Sequence, residues 1–193
     1  MADKLMSMSK PRILVFAGPN GSGKSTLTDA YKIEGIYINA DEIKKVRRCS
    51  DLEAATEAEL LREDSVSAGR SFTFETVLST RRNLDFLIRA KDAGYHISSV
   101  FVLTTSPEIN VLRVRSRVCD GGHDVPADKI RSRYKKAFDN ISELAALSDE
   151  CRIFDNSGIP QIIFLKIGSE SHCYENNYWT QEQITKLVKA PKE

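Results

Sequence analysis

An apolar run that ends in a glycine-rich octet constrains this chain more than any other feature. Arg12-Ile13-Leu14-Val15-Phe16-Ala17 reads as a buried strand, and Gly18-Pro19-Asn20-Gly21-Ser22-Gly23-Lys24-Ser25 follows it directly. Lys24 to Tyr31 then reads as a helix. Strand, loop and helix in this order open an α/β domain, and the octet has the form G-x-x-x-x-G-K-S/T. Its glycines let the backbone wrap closely around a polyphosphate with successive N–H groups aimed at it. Gly18, Pro19, Asn20, Gly21, Ser22, Gly23, Lys24, Ser25 and Thr26 are therefore the expected nucleotide-binding set. Lys24 would reach the β- and γ-phosphates, and the Ser25 hydroxyl would take one position on Mg²⁺.

Strand-like and helical stretches alternate through the rest of the chain, which predicts a mainly parallel sheet. Ile36–Asn39, Ser71–Glu75, Tyr95–Thr104, Cys151–Phe154 and Ile162–Leu165 are the further strands. Helices are expected over Leu52–Ala68, around Leu84, Leu87, Ile88 and Lys91, from Ser106-Pro107, and after Pro126. In the last of these, Ile130, Tyr134, Ala137, Ile141, Leu144 and Ala145 form one apolar stripe. A terminal helix carries Trp179, Ile184, Leu187 and Val188.

Ligands of open α/β sheets bind beyond the carboxyl ends of the strands, and the suggestive groups fall there. Asp41 follows the second strand. It is either a general base for a substrate hydroxyl or the N-cap of the helix carrying Ile43 and Val46. Glu75 closes the third strand, as a substrate contact or as a solvated strand end. Arg113 and Arg117 share one helix face, and Lys129, Arg133, Lys136 and Asn140 follow a helical spacing on the next. Gly121-Gly122-His123 joins the two. Two cationic faces on a glycine hinge suit a lid over a triphosphate, at about 107–140, against the plain alternative of solvated charged faces. His123 is grouped with the substrate contacts, shaping the turn or lid rather than acting as a base. No acidic residue ends the apolar run Val100–Leu103, which continues into Thr104-Thr105. That disfavours motor-type ATPases and suits kinases of small molecules.

Composition narrows the partners. With 28 basic and 27 acidic residues the net charge is +1, which weighs against nucleic acid and anionic membrane. No apolar run reaches the roughly 20 residues needed to span a bilayer, and Met1 to Lys10 lacks a signal-peptide core, so a cytoplasmic address is expected. Cys49, Cys119, Cys151 and Cys173 show no metal or redox spacing and are expected as reduced thiols.

The octet, Asn39-Ala40-Asp41, Phe74-Glu75-Thr76, and Gly121-Gly122-His123-Asp124-Val125-Pro126 followed by Ile130 and Arg133-Tyr134 together resemble the zeta-toxin family of P-loop kinases, in its short bacterial branch. The resemblance spans roughly Arg12 to Gly158. It implies a three-layer P-loop kinase fold, α/β in class, with a mainly parallel central sheet flanked by helices and a helical lid, as a single domain over residues 1–193. It also implies an ATP- and Mg²⁺-dependent transfer of phosphate to a sugar hydroxyl of UDP-N-acetylglucosamine. Lys24 and Ser25 would bind ATP and Mg²⁺, with Arg117 among the nucleotide contacts and Asp41 as base. Arg133 would stabilise the transition state, and Glu75 and Thr76 would belong to the substrate pocket. Lys136 stands where the family often has arginine, and it lacks the bidentate fork. Only about ten residues precede the first strand, so any antitoxin is expected as a separate protein. Two other readings remain: a kinase for a nucleotide, a dinucleotide cofactor or a nucleic-acid end, and a nucleotide-binding module without catalysis.

Overall fold

A computed structural model of the chain describes residues 10–189. Its elements run β1 (Arg12–Ala17), α1 (Lys24–Thr28), β2 (Ile36–Ile38), α2 (Ala40–Arg47), α3 (Asp51–Ser67), β3 (Phe72–Thr76), α4 (Arg82–Asp92) and β4 (His96–Leu103). They continue as α5 (Pro107–Cys119), α6 (Ala127–Asp139), α7 (Ile141–Leu147), β5 (Glu150–Asp155), β6 (Gln161–Ile167), β7 (Glu170–Cys173) and α8 (Gln181–Val188). The strands form a 7-stranded sheet in the order β2-β3-β1-β4-β5-β6-β7. β2 through β5 in that order pair in parallel, while β6 and β7 return antiparallel. β1 thus lies inside the parallel part, and the loop that leaves it opens between neighbours on both sides.

Alternation along β1 divides the core between the two faces of the sheet. Ile13, Val15 and Ala17 join Phe72, Phe74, Leu84, Leu87, Phe101, Leu144 and Ile184 in the larger cluster. Leu14 and Phe16 join Val100 and Val102 on the other face, under Leu27 and Tyr31. A third cluster of Val111, Val114, Val125 and Ile130 binds α5 to α6. Helices cover both faces, as expected of three layers, but the second face carries the thinner cover. Among the described residues no helix is long and apolar enough to cross a membrane. All four cysteines are free, and burial pushes the Cys151 thiol up to about 11.

Several expectations are corrected. The first helix ends at Thr28, because Ala30 and Tyr31 close tight turns onto Leu27 and Thr28 and the Tyr31 ring meets Phe16 edge-on at 5.4 Å. The apolar stripe from Ile130 to Ala145 belongs to two helices. They break at Asn140, whose side-chain amide donates to the Leu78 carbonyl at 2.8 Å. Ile88 is exposed, and Phe86 and Ala90 are buried in α4 beside Leu84 and Leu87. Trp179 precedes the last helix, which Thr180 caps. The edge strand β7 was not expected, since Glu170-Ser171-His172-Cys173 carries no apolar pattern.

Candidate active site at the phosphate loop

The loop after β1 is pinned from both sides. Gly18 donates its N–H to the Thr76 carbonyl at 3.2 Å, and the Arg133 guanidinium donates to the Asn20 side chain at 3.1 Å. Asn156, just beyond β5, donates its amide to the Ser22 carbonyl at 2.7 Å. Glycine is required at three loop positions; at Gly21, with φ +77, an added Cβ would lie 2.5 Å from the Asn110 carbonyl oxygen. Gly18 has φ +142, and an added Cβ would lie 2.2 Å from the Val102 carbonyl oxygen; Gly23 has φ +93, and its Cβ would lie 2.1 Å from the Asn156 amide nitrogen. Gly23 is also the left-handed residue that starts α1.

Lys24 turns its ammonium back onto the loop, donating to the carbonyls of Gly18 at 2.8 Å and Pro19 at 3.3 Å. Burial lowers its pKa, the carboxylates of Glu75 and Asp41 oppose that shift, and Arg117 adds to it. A phosphate would replace two neutral carbonyl partners with a charged one.

A cavity of about 710 Å³ opens over the loop, within the usual size of a small-molecule site. Of the sequence-expected residues, Asn20, Gly21, Gly23, Lys24, Ser25, Thr26, Asp41, Glu75, Thr76, Arg117, His123 and Arg133 line it. Gly18, Pro19 and Ser22 do not; they are buried beneath it and shape the loop.

The second strand end is built around side chains. Asn39, not Asp41, caps α2, its Oδ1 accepting the Asp41 N–H at 2.9 Å. Asp41 is thereby left exposed in the first turn and facing the cavity, free of the capping role. Glu75 is not a solvated strand end. Its Oε1 accepts from the Tyr37 hydroxyl at 2.6 Å and the Thr28 hydroxyl at 3.0 Å, and Asn39 donates to the Tyr37 oxygen at 3.0 Å. Burial, then the bond to Glu75, raises the Tyr37 pKa, so the phenol stays protonated as a donor. The Thr76 hydroxyl accepts from the Leu78 N–H at 2.9 Å and the Asn83 amide at 2.7 Å, organising the turn into α4.

The two basic helices contribute unequally. Arg113 and Arg117 of α5 and Arg133 of α6 line the cavity. Lys129 and Lys136 are exposed and do not, and Asn140 is spent on the helix break. The Arg117 guanidinium donates to the His123 carbonyl at 2.7 Å, so His123 fixes the turn through its backbone. One terminal nitrogen of Arg113 is buried without a partner among the described residues. β4, the neighbour of β1, is followed directly by Thr104, whose buried hydroxyl donates to Asn110 at 2.6 Å where a hydrolytic enzyme would carry an acid.

Sequence reasoning missed Asp51, Tyr37, Asn83 and the segment after β5. Asp155, the last residue of β5, is 2% exposed, accepting from the Ser157 N–H and hydroxyl and from the Asn176 amide at 3.1 Å. The signal available for Asp155-Asn156 was the one used for Asp41 and Glu75, a polar residue at the carboxyl end of a parallel strand.

The model of the Zeta toxin family matches residues 1–164. This chain belongs to the zeta toxin family. An uncharacterised protein of Haemophilus influenzae is 29% identical over 143 residues, covering 69% of this chain and 100% of that protein. Among solved structures, AvrRxo1-ORF1:-ORF2 with ATP superposes with a TM-score of 0.69 at 16% identity, over 95% of this chain and 65% of that one. The PezAT chromosomal toxin-antitoxin system of Streptococcus pneumoniae superposes with a TM-score of 0.56 at 15% identity, over 93% of this chain and 84% of that one. These likenesses are likenesses of fold, and the chain spans 65% of the AvrRxo1 chain's length. Family and fold together make this zeta toxin relative a P-loop, ATP-dependent kinase.

Proposed function

We propose that this kinase transfers the γ-phosphate of ATP to a sugar hydroxyl, with Asp41 as general base and the sugar of a nucleotide sugar such as UDP-N-acetylglucosamine as acceptor. One observation carries the reading. Asp41 and Glu75 share a single cavity with Lys24, Ser25 and three arginines, so a base, a hydroxyl anchor and phosphate ligands face one space. Lys24 holds the β- and γ-phosphates, and Arg117 and Arg133 neutralise charge that develops on the transferring group. The Asp41 carboxylate takes the hydroxyl proton as the hydroxyl oxygen bonds to the γ-phosphorus. The bond to the β–γ bridging oxygen breaks, and that oxygen leaves with ADP. Arg113, Arg117 and His123, on and beyond α5, act as the lid.

The donor set suits Mg²⁺ of the kind that keeps its waters and is held through phosphate. Ser25 is exposed on the cavity, and the described residues include no cluster of three or more acids, histidines or cysteines fit to cage a metal. Ser25 would contribute its hydroxyl, and the ion would supply charge neutralisation at the β- and γ-oxygens. PezAT is a toxin-antitoxin system, and a separate antitoxin protein is the partner we assign to this chain by that likeness.

The test is incubation with Mg·ATP and a panel of UDP-sugars, free sugars, nucleotides and short oligonucleotides, read by product mass. Asp41→Asn should lower turnover by about 10²–10⁴-fold with nucleotide affinity kept. Lys24→Ala should weaken both. Wild-type turnover by Asp41→Asn would remove the base assignment.

A further inference from the structure

Where α5 and α6 meet the phosphate loop, one buried side chain links all three. Asn110 lies one turn into α5 and is 0% exposed. Its backbone carbonyl presses on Gly21, where an added Cβ would stand 2.5 Å from the oxygen. Its Oδ1 accepts from the Thr104 hydroxyl at 2.6 Å, and the Thr104 carbonyl accepts from the Tyr134 hydroxyl of α6 at 2.5 Å. Arg133, next to Tyr134, donates to the neighbouring loop residue Asn20. Arg113 and Arg117 follow Asn110 at i+3 and i+7, so they share one side of α5, and both line the cavity.

Packing alone would not select an amide at this place. The Asn110 Nδ2 is buried without a partner among the described residues, and a buried donor left unpaired destabilises the fold. An apolar side chain of similar size would remove that defect. Thr104 would not be stranded by the change, because its hydroxyl also reaches the Ser106 carbonyl at 3.1 Å. What the amide adds is its acceptor oxygen, which fixes the start of α5 to the end of the strand beside β1. Polar groups retained in a core against stability commonly serve a functional geometry.

We infer that Asn110, held by Thr104, is a positioning residue that sets the arginines of α5 at the height of the γ-phosphate. It touches no reacting atom and acts through Arg113 and Arg117. The inference rests on the reading of α5 as the lid and adds the residue that aims it. The loop N–H groups grip the β-phosphate whatever the aim of α5, so a misplaced helix loses the γ-phosphate first.

Titration calorimetry of the full chain with Mg²⁺, using ADP and a non-hydrolysable ATP analogue as probes, tests it. Asn110→Leu should bind the ATP analogue about tenfold more weakly and ADP within about twofold of wild type. Its melting temperature should not fall. Thr104→Val should show the same split between the two nucleotides, and Thr104→Ser, which keeps the hydroxyl, should restore wild-type binding. The Asn110→Leu/Thr104→Val pair should lose no more than either change alone, because both break one contact. A merely structural role would weaken both nucleotides together, and that result in the Asn110 and Thr104 variants overturns the inference. Unchanged affinity for both nucleotides in these variants overturns it equally. If the split appears and no acceptor gains phosphate by mass, the positioning role stands and the sugar-transfer reading falls.

Discussion

The two sides of the phosphate loop hold it by different means. On the β4–β5 side the loop backbone is packed without clearance, Gly18 under the Val102 carbonyl and Gly23 against the Asn156 side-chain amide, which also donates to the Ser22 carbonyl. On the β2–β3 side the contacts are a chain of hydrogen bonds, from Thr28 through Glu75 and Tyr37 to Asn39. The first side has no room for an added atom. The second can lose an atom and keep its fold, at the cost of aim. Shape is imposed on the loop from one side and chemistry is brought to it from the other.

The steric side should give the largest effect. Gly23→Ala adds a Cβ 2.1 Å from the Asn156 nitrogen at a φ of +93, a strain of about 1–3 kcal/mol before the clash is counted. Nucleotide affinity should fall by about 100-fold or more, measured by titration calorimetry, with a lower melting temperature. Gly23→Ala/Asn156→Ala relieves the clash but not the φ, so it should recover affinity only in part. Wild-type affinity in the single variant would dissolve the contrast between the two sides.

An intermediate effect is expected from pH. Burial lowers the Lys24 pKa below 10.5, so the folded protein gives up this proton more easily than the unfolded chain. Between the two pKa values the unfolded chain binds more protons, so folding stability through Lys24 rises with pH. Phosphate binding needs the ammonium, so nucleotide affinity should fall with rising pH over the same alkaline window. Parallel melting and binding curves should therefore diverge, and Lys24→Met should abolish the divergence.

The hydrogen-bonded side should give the smallest effect. Tyr37→Phe removes the 2.6 Å bond to Glu75, worth about 0.5–1.5 kcal/mol, and should raise the acceptor KM by about 2–10-fold. Nucleotide affinity should not change. A shift in nucleotide affinity instead would mean that this network positions Lys24 rather than the acceptor.

The same contrast decides what was legible in the sequence. The loop, its flanking strand and the carboxyl-end positions of Asp41 and Glu75 could be read because they depend on local order along the chain. Asn39 takes the cap for which Asp41 is equally fit by residue type, and only the path of the chain into α2 distinguishes them. The Ile130–Ala145 stripe read as one helix because periodicity survives a break at Asn140, and the Leu78 carbonyl that fixes this break lies far away in sequence. Tyr37 and Asn156 act through partners 38 and 134 residues away, at Glu75 and Ser22, and no spacing rule reaches that far. Of the expected cationic faces only Arg113, Arg117 and Arg133 reach the cavity, because which part of a helix face meets it depends on how the helix is docked.

The bond from Asn176 to Asp155 bears on how the chain can be divided. The family match ends at residue 164, yet Asn176 satisfies one oxygen of a buried carboxylate next to the residue that grips the phosphate loop. A chimera that transplanted the family portion alone would carry Asp155 with that oxygen bare. The portable unit of this kinase therefore extends through Trp179, whose carbonyl and N–H hold the Asn176 turn in place.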